Sequence, residues 1–298
     1  MEGDAVQHVL RRHVQRAAAR VGAPIRLAPG GLLPQMTVVK AHAYGNDFLL
    51  VEEQSAPPLA DRAALTRAMC ERHRGIGADG VIFYSDGPRG ASMRLLNADG
   101  SPSEISGNGV RCLAAWLTRT RGLRPGSSLE ITTDAGVKTL DLLATDGRRL
   151  TFRAAMGPPE QVEQRMIDVH GETIEAVTLR IGNPQCVVLG EVNEDRLYRI
   201  ASRLAVHRTF PEGTNVELAT VERPDRVRIL IWERGVGPTE ASGTGACAAA
   251  VAAMSFGGAA RDVEVSSPGG TQRVEWRSSG LFLTGWSEVV LDGRWIDI

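Results

Sequence analysis

Two short stretches constrain this chain more than anything else in it: SGNGVRCLAAWL from Ser106 to Leu117, and SGTGACAAAVAAM from Ser242 to Met254. Each sets a Ser-Gly-Xaa-Gly turn directly before a helical pattern, and the two serines lie 136 residues apart. Asn97 stands nine residues before the first serine and Glu233 nine before the second, so the register extends beyond the motifs. Further back, AYGND carries Asn46 and RIGNP carries Asn183, 137 residues apart, each a Gly-Asn between β-rich runs. Self-similarity at a fixed spacing marks a duplicated unit. The chain therefore reads as an extension over 1–35 and two copies of one fold, 36–155 and 156–298, with the last strand able to return to the first half.

From Met36 onward, short runs of β-type residues (TVVKA, FLLVEE, VIFY, MRLLNA, LEITT, KTLDLL, LTFRA) alternate with turn signals. Helical patterns are few: Asp61–Arg72, Gly109–Arg121, Glu194–Ala205 and Gly245–Ser255. Many strands with few helices predict an α+β fold rather than a doubly wound parallel sheet. Ahead of Met36, His8–Val21 reads as an Arg-rich amphipathic helix followed by a Pro/Gly-containing linker over 28–35. It lacks the serine content of a transit peptide and reads more simply as an extension, with Met36 a natural start.

A Gly-rich turn entering a helix leaves the first backbone N–H groups unpaired and pointing outward, where the helix dipole favours an anion. Each motif is thus a candidate anion cradle. The simpler reading is that the serines only cap their helices. If the two elements face each other, Ser106 and Ser242 flank a single bound carboxylate-bearing carbon. That layout suits proton transfer from one face of the carbon to the other.

Composition removes the competing chemistries. With 34 basic and 35 acidic residues in 298, the formal charge is −1, which leaves no electrostatic footprint for nucleic acid or an anionic membrane. No apolar run approaches the ~18 residues of a membrane span. Cys70, Cys112, Cys186 and Cys247 lie far apart and form no Cys-Xaa-Xaa-Cys pair, as expected of a cytoplasmic protein without a disulfide framework. Lys40 and Lys138, the only lysines, sit in strand patterns away from any phosphate loop, which argues against pyridoxal phosphate. GIGADG (Gly75–Gly80) has the glycines of a dinucleotide loop, but a helix precedes it and a strand follows, the reverse of the required order. The six histidines show no ligand spacing, so neither metal nor cofactor is expected. The partner is a small amino-acid ligand, and a homodimer is allowed for.

KAHAYGNDF, RHRGIGADGV, LLNADGSPSEISGNGVRC, GNPQCVV, EGTNVE and WERGVGPTEASGTGACAA together resemble the diaminopimelate epimerases over essentially all of 36–298. The resemblance implies two pseudo-symmetric domains, each a mostly antiparallel sheet wrapped around a central helix, with the active site between them. It implies a cofactor-independent isomerase that interconverts L,L- and meso-diaminopimelate in lysine and cell-wall precursor biosynthesis. Carried over by position, it implies that Asn46, Asn97, Asn183 and Asn215 hydrogen-bond the distal amino-acid end or the carboxylates. Glu233 and Arg234 would contact the far or α-amino group. Gly107, Asn108, Gly243 and Thr244 would supply the cradle, with Ser106, Ser242 and Glu233 the catalytic set.

Three positions depart from the family pattern. Ser106 and Ser242 stand where the family has cysteines, and Gln185 where it has a histidine. A serine hydroxyl is a far weaker acid than a thiol with its reference pKa of about 8.5, and a glutamine is no base. Several readings stay open. The chain is an engineered Cys→Ser form, a natural branch in which Glu233 or another carboxylate moves the proton, an isomerase of another carboxylate-bearing substrate, or a binding protein that has lost catalysis. Cys112 and Cys247, inside the helical patterns, read as small core residues rather than substitutes.

Overall fold

The computed structural model describes residues 35–58 and 61–296. The expected helix over 8–21 and most of the extension therefore lie outside the described residues. The first half runs through β1 (Gln35–Ala43), β2 (Asn46–Glu52), α1 (Arg62–Cys70), β3 (Gly80–Gly87), β4 (Gly90–Asn97), β5 (Pro102–Ser103), α2 (Gly107–Arg121), β6 (Ser128–Thr133), β7 (Gly136–Asp146) and β8 (Arg149–Gly157). After β9 (Glu160–Val169) the order repeats: β10 (Glu172–Arg180), β11 (Pro184–Leu189), α3 (194–204), β12 (Asn215–Arg223), β13 (Arg226–Glu233), β14 (Gly237–Thr239), α4 (Gly243–Phe256), β15 (Asp262–Ser267), β16 (Gly270–Arg277) and β17 (Gly280–Ile296).

The pairings repeat with the elements. β2 runs parallel to β3 as β11 does to β12. β4 runs parallel to β6 as β13 does to β15, and β3–β4 and β12–β13 are matching hairpins. Most other neighbours are antiparallel, so the fold is α+β with two pseudo-symmetric, strand-rich halves. The halves share strands: Leu281–Glu288 of β17 pairs with β8, and β17 also pairs with β1.

Each half encloses one helix and carries another outside. α2 buries nearly all its length from Gly107 to Thr118, and α4 buries every residue from Gly243 to Ala253. A helix that is apolar all round can sit only in a core. The run ACAAAVAA suits that place, since alanine has the best helix propensity and a side chain small enough for strands to close over. α2 and α4 share one core with Phe152 of β8 and Leu281 and Leu283 of β17. Smaller clusters seat the outer helices, Met69 of α1 against Val38, Leu49 and Val81, and Ile200 and Leu204 of α3 against Val188, Val216 and Leu218.

Helix limits differ from the sequence expectation for local reasons. α2 and α4 begin at Gly107 and Gly243, two residues early, because Ser106 and Ser242 cap them and the first helical turn tolerates glycine. α1 stops at Cys70 because Glu71 turns extended, leading into the GIGADG loop. The 194–204 helix is not regular, its middle Leu197–Ala201 taking the wider π form. α2 ends at Gly122, whose left-handed φ of 63° lets its N–H close back on Arg119 and Thr118.

Candidate active site

Local sequence sets the two helix entrances. Ser106 and Ser242 are both extended, with φ of −128° and −132°, and each hydroxyl accepts from the backbone N–H three residues on: Gly109 at 3.0 Å and Gly245 at 3.1 Å. The serines cap their helices, and such a cap satisfies only one of the four unpaired N–H groups of a helix start. Tertiary structure then brings the entrances together. A Cβ on Gly107 would stand 2.8 Å from Gly243 Cα, and one on Gly243 2.6 Å from Gly107 Cα. Only two glycines let the backbones meet this closely. The positive ends of two helix dipoles therefore converge on one spot.

Asn108 has its side chain elsewhere. Fully buried, its Nδ2 donates to Asn46 Oδ1 at 3.0 Å and to Ala241 O at 2.9 Å, while its Oδ1 accepts from Arg111. The side chain ties the halves together, which leaves the Asn108 backbone for a cradle. The serines are not equivalent either: Ser106 lines the cleft, whereas Ser242 is only 2% exposed and lies behind its wall.

Above the paired helix ends is a narrow cleft. Asn46, Asn97 and Ser106 line it from the first half. Asn183, Asn215, Glu233, Arg234 and Thr244 line it from the second. The free space is about 30 Å3, the room of a water or two. A larger open groove of about 500 Å3 crosses β9 and β10 and takes in Gln185 but none of these residues, so the convergence of functional groups, not size, marks the site.

Burial sets the electrostatics. Desolvation pushes the Glu233 carboxyl up to about 7, the charge of Asp79 adds to this, and the Ser242 and Thr239 hydroxyls beside it pull the other way. Asp79 also lines the cleft. Its carboxyl is raised by burial and by Asp47, with Asn46, the Asp47 N–H and Arg72 holding it back. Asn46 Nδ2 donates to it at 2.7 Å, and Arg72 bridges it at 2.8 Å to Asp47 at 3.1 Å, which Lys40 meets at 2.9 Å. Arg234 pairs with Glu104 at 3.0 Å across the halves and donates to Glu212 O, while its backbone N–H donates to Asn215 Oδ1. Gln185 Nε2 donates to Asn183 Oδ1 at 2.6 Å, and its buried Oε1 has no partner.

Cys112 and Cys247 are fully buried within α2 and α4, and burial pushes both thiols up, Cys247 to about 12. Neither can replace a thiolate at the helix entrance. Among the described residues, no group of three His, Cys, Asp or Glu side chains is arranged to hold a metal, and no helix is long and apolar enough to cross a membrane.

Sequence reasoning missed Asp79, which it met only inside GIGADG as a discarded phosphate loop. The repeat held the signal, since Asp79 lies 136 residues before Asn215. It also passed over Glu104 and Glu217, which sit inside motifs that were read for their other residues.

Solved structures share the fold at low identity: a probable proline racemase from Agrobacterium radiobacter K84 (TM-score 0.70, 15% identity, 87% of this chain and 92% of that one) and a hydroxyproline epimerase from Agrobacterium vitis (TM-score 0.68, 15% identity, 88% and 92%). Sequence relatives are far closer. The diaminopimelate epimerase of Desulforudis audaxviator is 41% identical over 280 residues, 88% of this chain and 99% of that protein. That of Desulfitobacterium hafniense is 38% identical over 276 residues, covering 87% and 97%. The pattern of the family described as diaminopimelate epimerase matches residues 38–162 and 177–290, and the chain belongs to that family.

Proposed function

We propose that this protein is a cofactor-independent amino-acid epimerase that interconverts L,L- and meso-diaminopimelate by moving a Cα proton from one face to the other. The observation that carries the reading is the meeting of two helix entrances at Gly107 and Gly243 beneath a cleft with an acid on each wall, Asp79 on one and Glu233 on the other. The substrate α-carboxylate rests on the N–H groups of Gly107–Asn108 and Gly243–Thr244. There the converging dipoles offset the charge that develops as the Cα proton leaves. Asn46, Asn97, Asn183 and Asn215 serve the distal amino-acid end, joined by Arg234 once a substrate carboxylate displaces Glu104.

Glu233, poised near neutrality, both takes and gives a proton at working pH. Ser106 and Ser242 serve as hydroxyl relays at the helix entrances, because an unassisted hydroxyl is too weak an acid to be the base itself. The closed cleft is far too small for diaminopimelate, so binding requires the halves 36–155 and 156–298 to part and reclose, which also excludes water from the reacting carbon. The same reading places the enzyme in the cytoplasm, where its four buried free thiols stay reduced, as a single chain or a pair.

Incubation with L,L-diaminopimelate in D2O, followed by NMR, tests the function. Deuterium at Cα with appearance of the meso form is the expected result. Tight binding without exchange refutes it in favour of a catalytically silent amino-acid-binding protein.

A further inference from the structure

Arg111 carries a charge that the surrounding fold leaves unbalanced. It stands in α2 five residues past Ser106 and is wholly buried. Gly285 of β17 covers it so closely that a Cβ there would lie 3.3 Å from Arg111 Cζ. Burial weakens the hold of the guanidinium on its proton, but from so high a starting value that the group stays charged. Among the described residues no carboxylate pairs with it. The groups that act on it are Tyr44, Cys112 and Cys247, and burial pushes all three upward, which keeps them neutral. Its Nε and Nη1 have no hydrogen-bond partner.

The partners it does have lead to both helix entrances. Nη2 donates to Asn108 Oδ1 in the first turn of α2 and, at 2.6 Å, to Gln272 Oε1 on β16. Asn108 Nδ2 in turn donates to Ala241 O, and Gln272 Nε2 donates at 3.3 Å to Ser242 O, the cap of α4. One cation is thus wired to the start of each central helix. A sealed charge without a counter-ion is costly, and an anion brought near it lowers that cost. The paired entrances, which open on the cleft, are where this fold admits one.

We propose that Arg111 is a positioning residue that ties the two helix entrances together and lends them a fixed positive charge, so that the ligand completing the site is an anion. The inference rests on reading the entrances as a carboxylate cradle, and it adds the selectivity that reading lacks. Backbone N–H groups alone accept any hydrogen-bond acceptor; the cation ranks a carboxylate above a neutral amide or ester. Five helical residues span about 7.5 Å. At that separation and an effective dielectric constant of about 20, one unit charge moves the titration of another by about one to two pH units.

A thiol placed at the first entrance by Ser106→Cys reads this charge directly, through the pH dependence of its alkylation by iodoacetamide. The four native thiols are buried and stay silent. The charged groups around the reporter are Asp79, Glu233 and the Arg234–Glu104 pair, none of which touches Arg111 or Gln272, so they act alike in every variant. Adding Gln272→Glu sets a carboxylate against the guanidinium and should raise the thiol midpoint by about one pH unit, as should Arg111→Met, while Arg111→Lys should keep it near that of Ser106→Cys alone. Gln272→Leu removes the same bond to Ser242 O without adding charge and should move the midpoint far less than Gln272→Glu does. Gln272→Glu should also melt above Gln272→Leu, because it alone offers the cation a partner. An unmoved midpoint in Gln272→Glu, equal shifts in Gln272→Glu and Gln272→Leu, or a Gln272→Glu protein that melts below Gln272→Leu or fails to fold would each overturn the proposal. No substrate enters the assay, so absence of diaminopimelate exchange would count against the proposed function and leave this result standing.

Discussion

Replacing Gly243 by alanine tests the contact on which the site is built. The new Cβ would lie 2.6 Å from Gly107 Cα, 2.8 Å from Gly107 C and 3.0 Å from Asn108 N, all main-chain atoms of the opposite helix that no rotamer change can move away. Ordinary carbon contacts sit at about 3.5–4.0 Å, so the two helix entrances must part by roughly 1 Å. Overpacking of this kind costs about 1–3 kcal/mol, and the helix propensity gained by alanine over glycine, at most about 1 kcal/mol, returns part of it. A net loss of about 1–2 kcal/mol should lower Tm by about 2–8 °C in a domain of this size. The effect on chemistry should be larger, since a displacement of about 1 Å at a reacting centre can cost about 100-fold in rate. Scanning calorimetry and the D2O exchange assay measure the two effects separately. A variant with parental Tm and parental exchange would refute the claim that the abutting backbones form the cradle.

Restoring thiols should raise activity. Ser106→Cys with Ser242→Cys is expected to increase diaminopimelate epimerisation by at least ~10-fold over the parent, and Gln185→His to increase it further, because a thiol near a helix N-terminus reaches its reactive form far more readily than a hydroxyl. Neither single cysteine should suffice, since inversion needs an acid on one face and a base on the other. Glu233 predicts a pH trend in stability. With its folded value raised to about 7 above a reference of 4.5, the folded state binds the extra proton, so stability should fall as pH rises from about 4.5 through about 7, and Tm scans of Glu233→Gln should lose that component. Asn108→Ala removes the donor to Asn46 Oδ1 and Ala241 O in a fully buried spot and should cost about 1–3 kcal/mol in urea unfolding, with little change if water replaces the amide.

Much of the architecture is legible in the chain because it is written in short-range terms. The repeat is a spacing, a strand is a run of β-type residues between turn signals, and a helix entrance is a capping residue followed by small residues. None of these depends on what the segment later packs against. The limits of α2 and α4 were missed by only two residues, because the glycines that discourage a helix in isolation are stabilised by the serine caps. The irregular 194–204 helix was not foreseen, since nothing in its spacing sets the wider turn at Leu197–Ala201 apart from an ordinary one.

The site divides in the same way. By itself the sequence determined the duplication, the α+β class, the twin capped entrances and the family, all of which rest on residue identity and spacing. The tertiary structure decided which of these groups share an environment. It brought Asp79 and Glu233, 154 residues apart, onto the walls of one cleft, put Gly107 against Gly243, turned the Asn108 side chain into a tie between the halves, and sealed Glu217 behind Ser242. Those outcomes hinge on desolvation and close contact between distant segments. A carboxyl near 7 and one held well above its usual range share the same letter in the sequence, and only the dielectric and the neighbours supplied by the fold separate them.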